Sequence, residues 1–212
     1  MRKLADSLLN LIFPPRCEVC KTNSQEILCR HCFSQIKFMK PHLGVHCVSA
    51  YDGVIKEAIA RFKFKKRKRL HEPLGILLVH YLSSTPSLQM EEIDVIVPVP
   101  LHKSRHQERG FNQADLLAQV VSKYHAKPVV QALERHRQTQ AQFDLKRNER
   151  YENIRDAFKV TNPHHVHDKR VLLLDDIYTT GSTIAECSRT LKQAGAKRVE
   201  VLTLSRAIEN NS

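Results

Sequence analysis

Four of the six cysteines fall in one pattern: Cys17, Cys20, Cys29 and Cys32 form C-x2-C-x8-C-x2-C. Each C-x2-C pair can wrap one edge of a tetrahedral ion, and four thiolates close the shell of a zinc ion with no position left for a substrate water. The chemistry predicted is therefore structural zinc, not catalytic zinc. Two disulfides or four buried thiols are the competing readings. Cys47 and Cys187 stand apart and read as small buried hydrophobes.

A second group sits in Val171-Leu-Leu-Leu-Asp-Asp-Ile-Tyr-Thr-Thr-Gly-Ser-Thr183. The apolar run reads as a buried strand, and Asp175 and Asp176 fall at its carboxyl end, where open parallel sheets bind ligands. The turn that follows leads into a helix start. Unpaired backbone N–H groups and the positive end of the helix dipole make such a turn an anion cradle, to which Thr179, Thr180, Ser182 and Thr183 add hydroxyl donors. Gly181 lets the backbone approach an anion without a Cβ. Two carboxylates would repel a phosphate, so they are expected to accept hydrogen bonds from hydroxyls or to hold a divalent cation. A phosphate at the helix start with diol acceptors just upstream describes a sugar phosphate. Neither G-x-x-x-x-G-K-[ST] nor G-x-G-x-x-G occurs, so a P-loop and a dinucleotide fingerprint lose their support.

The third group is a run of charge. Residues 61–69 carry seven cations and no acid: Arg61, Lys63, Lys65, Lys66, Arg67, Lys68 and Arg69, with Phe62 and Phe64 between them. From Lys63 to Arg69 the run could attract a nucleic-acid backbone while an aromatic ring stacks on a base, which points to single-stranded DNA. A solvated helix end is the competing reading.

These groups need elements to hold them. Ile55, Ala58, Ile59 and Phe62 recur at helical spacing after Asp52-Gly53, and Pro73 opens a second helix running to Tyr81. From Ile93 the grammar becomes strand, loop, helix, repeated. Strands are expected at 93–97, 129–133, 157–160, 171–174 and 199–204. One helix carries Leu116, Leu117, Val120, Val121 and Tyr124 on its apolar face; another carries Ile184, Cys187, Leu191 and Ala194 and closes at Gly195. Apolar strands alternating with amphipathic helices imply an α/β fold with a parallel sheet flanked by helices. Pro98 and Pro100 force an abrupt end to the first of these strands, which suits a binding loop and equally any turn. The polar stretch 134–150 is long enough for a lid.

With 212 residues, 42% hydrophobic and 26% charged, the chain fits one full domain and a small annex, which excludes a repeat array. A net charge of +12 favours polyanionic partners. No run of 18 apolar residues occurs, and the N-terminal stretch lacks a secretory cleavage pattern, so the protein is expected to be cytoplasmic.

The segment Leu-Leu-Asp-Asp-Ile-Tyr-Thr-Thr-Gly-Ser-Thr resembles the phosphoribosyl pyrophosphate (PRPP) motif of type I phosphoribosyltransferases. Together with the zinc module, Asp94-Val-Ile-Val-Pro-Val-Pro-Leu-His102 and Arg109-Gly-Phe-Asn-Gln113, it makes nearly the whole chain similar to the ComF family of competence proteins. The resemblance implies a zinc module at 1–46, a helical hood with the basic run at 47–92 and a phosphoribosyltransferase core at 93–212. It implies that Asp175 and Asp176 bind the ribose hydroxyls together with Mg2+, and that Thr179, Thr180, Gly181, Ser182 and Thr183 bind the 5-phosphate. Val99, Pro100, Leu101 and His102 would form the pyrophosphate loop, and Glu134 to Arg150 the mobile loop; if that loop closed, Arg135, Arg137, Arg147 and Arg150 could neutralise a departing pyrophosphate, and a solvated charged loop is the competing reading. A hood over the site would also let Lys63 or Lys65 meet the pyrophosphate. The function implied is DNA uptake in natural transformation, beside a helicase and other competence proteins at the inner membrane. The alternative is an active PRPP-dependent phosphoribosyltransferase acting on a base or other nucleophile.

Overall fold

The computed structural model describes residues 14–41, 44–65, 67–137 and 153–208. The chain enters through the cysteine module, which holds the short helix α1 (Arg30–Ser34), and continues into β1 (Val45–Ala50), α2 (Gly53–Phe64) and α3 (His71–Ser84). Then follow β2 (Val95–Pro98), α4 (Lys103–Arg109), α5 (Gln113–His125), β3 (Leu133–Arg135), β4 (Phe158–Val160), β5 (Arg170–Tyr178), α6 (Ser182–Gln193) and β6 (Arg198–Arg206). Four strands form a parallel sheet in the order β1-β6-β5-β2.

Residue alternation along β5 divides the core into two layers. Leu172 and Leu174 face a cluster built from α2, α3, α5 and the cysteine module, while Val171 and Leu173 face a cluster built from α6 and the β3–β4 ribbon. Helix α2 buries Ile55, Ala58, Ile59 and Phe62, the stripe its periodicity predicts. Helix α3 crosses α5 closely at Gly75, where a Cβ would stand 2.6 Å from Val120 Cγ1.

Three sequence expectations change. Strand β1 belongs to the main sheet, so a division at residue 46 cuts through it, and Cys17, Leu28, Cys32 and Ile36 share one core with α2 and α3. The expected strand at 129–133 is a single parallel bridge from Val129 to Ile96, after which the chain turns away and β3 pairs antiparallel with β4. Tyr124 lies at the edge of the α5 stripe and is exposed rather than packed.

The strand lengths make the opening at the sheet's carboxyl edge. Strand β2 stops at Pro98, opposite Leu174, and Val99 N–H makes the last bond across to the Leu174 carbonyl (2.9 Å). On its other side β5 stays paired with β6 as far as Tyr178. Asp175, Asp176 and Ile177 therefore run past the end of β2 while still held by β6. Among the described residues no helix is long and apolar enough to cross a membrane.

Candidate functional site

Because β5 continues as a strand through the two acids, their side chains fall on opposite faces of the sheet. Asp176 continues the α2 layer and is buried; its Oδ1 accepts from the Lys63 ammonium at 2.6 Å. Asp175 continues the α6 layer, in the electrostatic field of Arg135, and its charge adds to the burial that raises the Cys187 thiol; its Oδ1 accepts from the Asp176 N–H at 2.8 Å. Burial, reinforced by the neighbouring Asp176 charge and opposed by Lys63, pushes the Asp175 carboxyl up to about 7. The site thus holds one paired carboxylate and one whose charge is costly until a cation or hydrogen-bond donor arrives.

Five residues after Asp176, Gly181 adopts the left-handed conformation (φ 80°) and starts α6. A Cβ there would stand 2.6 Å from Cζ of the Tyr178 ring. Both the backbone angle and the close ring require glycine. No side chain caps α6, and Thr180 and Ser182 hydroxyls lie 3.0 Å apart over its first turn. Helix-start N–H groups with clustered hydroxyls suit a phosphate.

The loop after β2 is pinned at both ends. The Asn112 side chain donates Nδ2–H to the Val99 carbonyl (3.0 Å) and accepts from the Ala114 N–H (3.1 Å), so one residue caps α5 and holds the loop. His102 Nδ1 accepts from the Ser104 N–H (3.3 Å) and caps α4. Val99 is buried; Pro100, Leu101 and His102 are half-buried.

Two arginines from distant segments converge here. Arg109 hydrogen-bonds Gln113 Oε1 (3.1 Å) and lies 5.3 Å from the Phe64 ring centre; burial lowers its pKa and the field of Asp176 opposes that. Arg135 is buried, and burial, reinforced by the like charge of Arg105, holds its guanidinium down to about 10. Tyr51, at the end of β1, is pushed up by burial and by the Asp176 charge. Arg109 opens the Arg109-Gly-Phe-Asn-Gln113 segment and Arg135 falls in the expected mobile loop, whereas Arg105 and Tyr51 carry no signal in the sequence.

The basic run does not form one surface. Arg61 bonds Glu57 and the Glu18 carbonyl, tying α2 to the cysteine module, and Arg67 lies 3.8 Å from Glu18. Lys63 points into the acid pair and is set apart from its neighbours. Phe64, Lys65, Arg67, Lys68 and Arg69 are exposed, and Lys66 lies outside the described residues. Of the expected mobile loop only Glu134 to Arg137 is described; Arg137 donates to the Asn153 carbonyl (3.1 Å), while Arg147 and Arg150 lie outside the described residues.

Cys17, Cys20, Cys29 and Cys32 bring their sulfurs within 4.8 Å of one another. Cys17–Cys32 and Cys20–Cys29 are 3.8 and 3.6 Å apart, close to the edge of about 3.8 Å expected for thiolates about 2.3 Å from a central zinc. Backbone N–H groups of Val19 and Cys29 point at Cys17 Sγ (3.4 and 3.5 Å). Burial and the adjacent sulfurs push the Cys32 thiol up, so four thiolates together require a cation. The donor set fits structural zinc.

Comparison with known proteins agrees with both parts. The phosphoribosyl transferase domain profile matches residues 90–211, and the double zinc ribbon domain profile matches residues 8–54. The "DNA utilization protein YhgH" of Escherichia coli (strain K12) is 33% identical over 196 residues, covering 92% of this chain and 84% of its own. "Competence protein F" of Haemophilus influenzae is 32% identical over 196 residues, 84% of each chain. "Competence protein ComFC" of Bacillus subtilis is 29% identical, covering 90% of this chain and 78% of its own.

Proposed function

Because this chain belongs to the ComF family and carries a zinc ribbon ahead of a phosphoribosyl transferase domain, we propose that it binds PRPP with Mg2+ at the carboxyl edge of β5 and serves DNA uptake or utilization. The observation that carries this reading is the acid pair running past the end of β2, five residues ahead of an uncapped helix start with left-handed Gly181. Thr179, Thr180, Gly181, Ser182 and Thr183 would take the 5-phosphate, Asp175 and Asp176 the ribose hydroxyls, and Val99, Pro100, Leu101 and His102 the pyrophosphate. Asp176 already takes a cation, Lys63, which fits a carboxylate ligand for Mg2+. Bound there, the metal would offset the charge of the pyrophosphate, and Arg109 would add to that effect.

Single-stranded DNA would lie along Lys65, Arg67, Lys68 and Arg69, with Lys66 beside them in sequence, and exposed Phe64 would offer a stacking face. The cellular setting that follows is the cytoplasmic side of the inner membrane, beside a DNA-uptake helicase and other competence proteins. Phosphoribosyl transfer to a base or other nucleophile is a second reading, favoured by the convergence of Arg109 and Arg135 on the acid pair. PRPP with Mg2+ is expected to raise the melting temperature of the wild type and to leave Asp175→Asn/Asp176→Asn unchanged. Equal stabilisation of both proteins would remove the site assignment. Pyrophosphate release in the presence of candidate acceptors tests the transfer.

A further inference from the structure

The contact that most needs a purpose is the one between Lys63 and Asp176, 113 residues apart in the chain. Both side chains are largely withdrawn from water, at 15% and 10% exposure. No other carboxylate pairs with Lys63 among the described ion pairs; Glu57, on the same helix, is held by Arg61. A divalent cation that uses Asp176 Oδ1 must take the place of the ammonium, because two cations cannot share that oxygen cheaply.

What the ammonium does next follows from its surroundings. The backbone of α2 at this point is fixed: Phe62 is fully buried with its ring 5.4 Å from Phe111, and Arg61 is tied to Glu18. Any motion is therefore in the flexible four-carbon stem, which carries a compact point charge over a span of about 6 Å. Apart from Lys63, the charged side chains whose fields reach the acid pair, Arg109 and Arg135, are both cations. Left unpaired in a half-buried position, the ammonium would weaken ligand binding by its desolvation. The arriving ligand brings the one new negative charge within reach.

Resting on the sugar-phosphate reading of this site, we propose that Lys63 is a ligand-exchange residue: it neutralises Asp176 in the free protein and passes to the pyrophosphate of the bound ligand. The pyrophosphate is chosen over the 5-phosphate by position. Asp176 faces the α2 layer, which Phe111 joins beside Asn112, the residue that holds the Val99 end of the loop leaving β2, whereas the 5-phosphate cradle belongs to α6. The basic run then divides in purpose, with Lys63 serving the sugar-phosphate site and the exposed residues after Phe64 serving the outer surface.

Calorimetric titration of wild type, Lys63→Met, Lys63→Arg and Asp176→Asn with Mg2+ plus PRPP, with Mg2+ plus ribose 5-phosphate and with Mn2+ alone tests this. Lys63→Met is expected to lose about 10–100-fold in PRPP affinity, the range for one charge-assisted hydrogen bond. Ribose 5-phosphate, which has no pyrophosphate, should bind Lys63→Met at least as tightly as wild type, and Mn2+ more tightly, since the competing ammonium is gone. Lys63→Arg should recover most of the PRPP affinity. Zinc content and melting temperature check that the fold is kept, and Lys63→Gln repeats the test with a side chain that can still hydrogen-bond Asp176. Equal losses for PRPP and ribose 5-phosphate, or no loss for PRPP, overturn the proposal. If Asp176→Asn binds PRPP like wild type, the sugar-phosphate reading itself falls; if Asp176→Asn loses PRPP while Lys63→Met keeps it, only the role of Lys63 falls.

Discussion

Asp175→Asn is expected to make the free protein more stable, and increasingly so as the pH rises. The carboxyl titrates near 7 in the fold against an ordinary value of 3.8. Below about pH 4 both folded and unfolded chains hold the proton, so no difference arises. Between about 4 and 7 the unfolded chain has released a proton that the folded chain keeps, and stability falls with rising pH. Above about 7 the folded protein carries the full cost of an ionised Asp175. A shift of about three pH units corresponds to about 4 kcal/mol as an upper bound, and relaxation around the half-buried group reduces it to about 1–3 kcal/mol. The asparagine keeps an oxygen to accept from the Asp176 N–H, so that contact survives. The variant should therefore melt about 2–10 °C above wild type at pH 8, with a smaller gap at pH 5.5. Comparing the two proteins at each pH cancels the pH dependence of the zinc site, which they share. An Asp175→Asn protein less stable than wild type at pH 8, or a gap that is the same at both pH values, would refute a pH-dependent cost of ionising Asp175. A gain in stability joined to a loss of PRPP response would mark Asp175 as a residue held for binding at the expense of the fold.

Gly181→Ala should cost about 1–3 kcal/mol, from the left-handed backbone and the Tyr178 ring, and abolish the PRPP-induced shift in melting temperature; an unchanged shift contradicts the cradle assignment. Elemental analysis should find one zinc for the four-cysteine cluster, and Cys20→Ser, which removes an exposed thiol with little packing, should lose the metal and destabilise the chain by several kcal/mol; a zinc-free wild type with normal stability argues against a structural ion. Replacing Lys65, Arg67, Lys68 and Arg69 by Gln should weaken single-stranded DNA binding in a shift assay and flatten its salt dependence by about 0.7 for each phosphate no longer neutralised; an unaltered slope moves the DNA surface elsewhere.

Much of the site was readable because its signals are local. Two C-x2-C pairs bring four sulfurs together whenever the intervening turn closes, and the structure gathers all four. The stripe Ile55, Ala58, Ile59 and Phe62 follows from helical periodicity alone. The apolar strand, Gly181 and the hydroxyl-rich turn lie within 13 consecutive residues, so their order along the chain already places an anion cradle after two acids.

What the sequence by itself determined, then, is which chemistry is carried and on which elements; how the charges are shared was decided only by the tertiary structure. That Asp175 and Asp176 face opposite layers depends on β5 staying paired with β6 to Tyr178, while β2 ends opposite Leu174. That Lys63 belongs to the acid pair, and not to the basic surface around it, depends on α2 sharing the core layer that Leu172 and Leu174 face, with Phe62 against Phe111, and on Arg61 reaching Glu18. The approach of Arg109 and Arg135 to the acids, and the antiparallel pairing of β3 with β4, likewise join distant segments. Periodicity and motif spacing report on neighbours within a few turns, whereas the pairing of a buried charge is set by whichever element packing brings within about 4 Å of it.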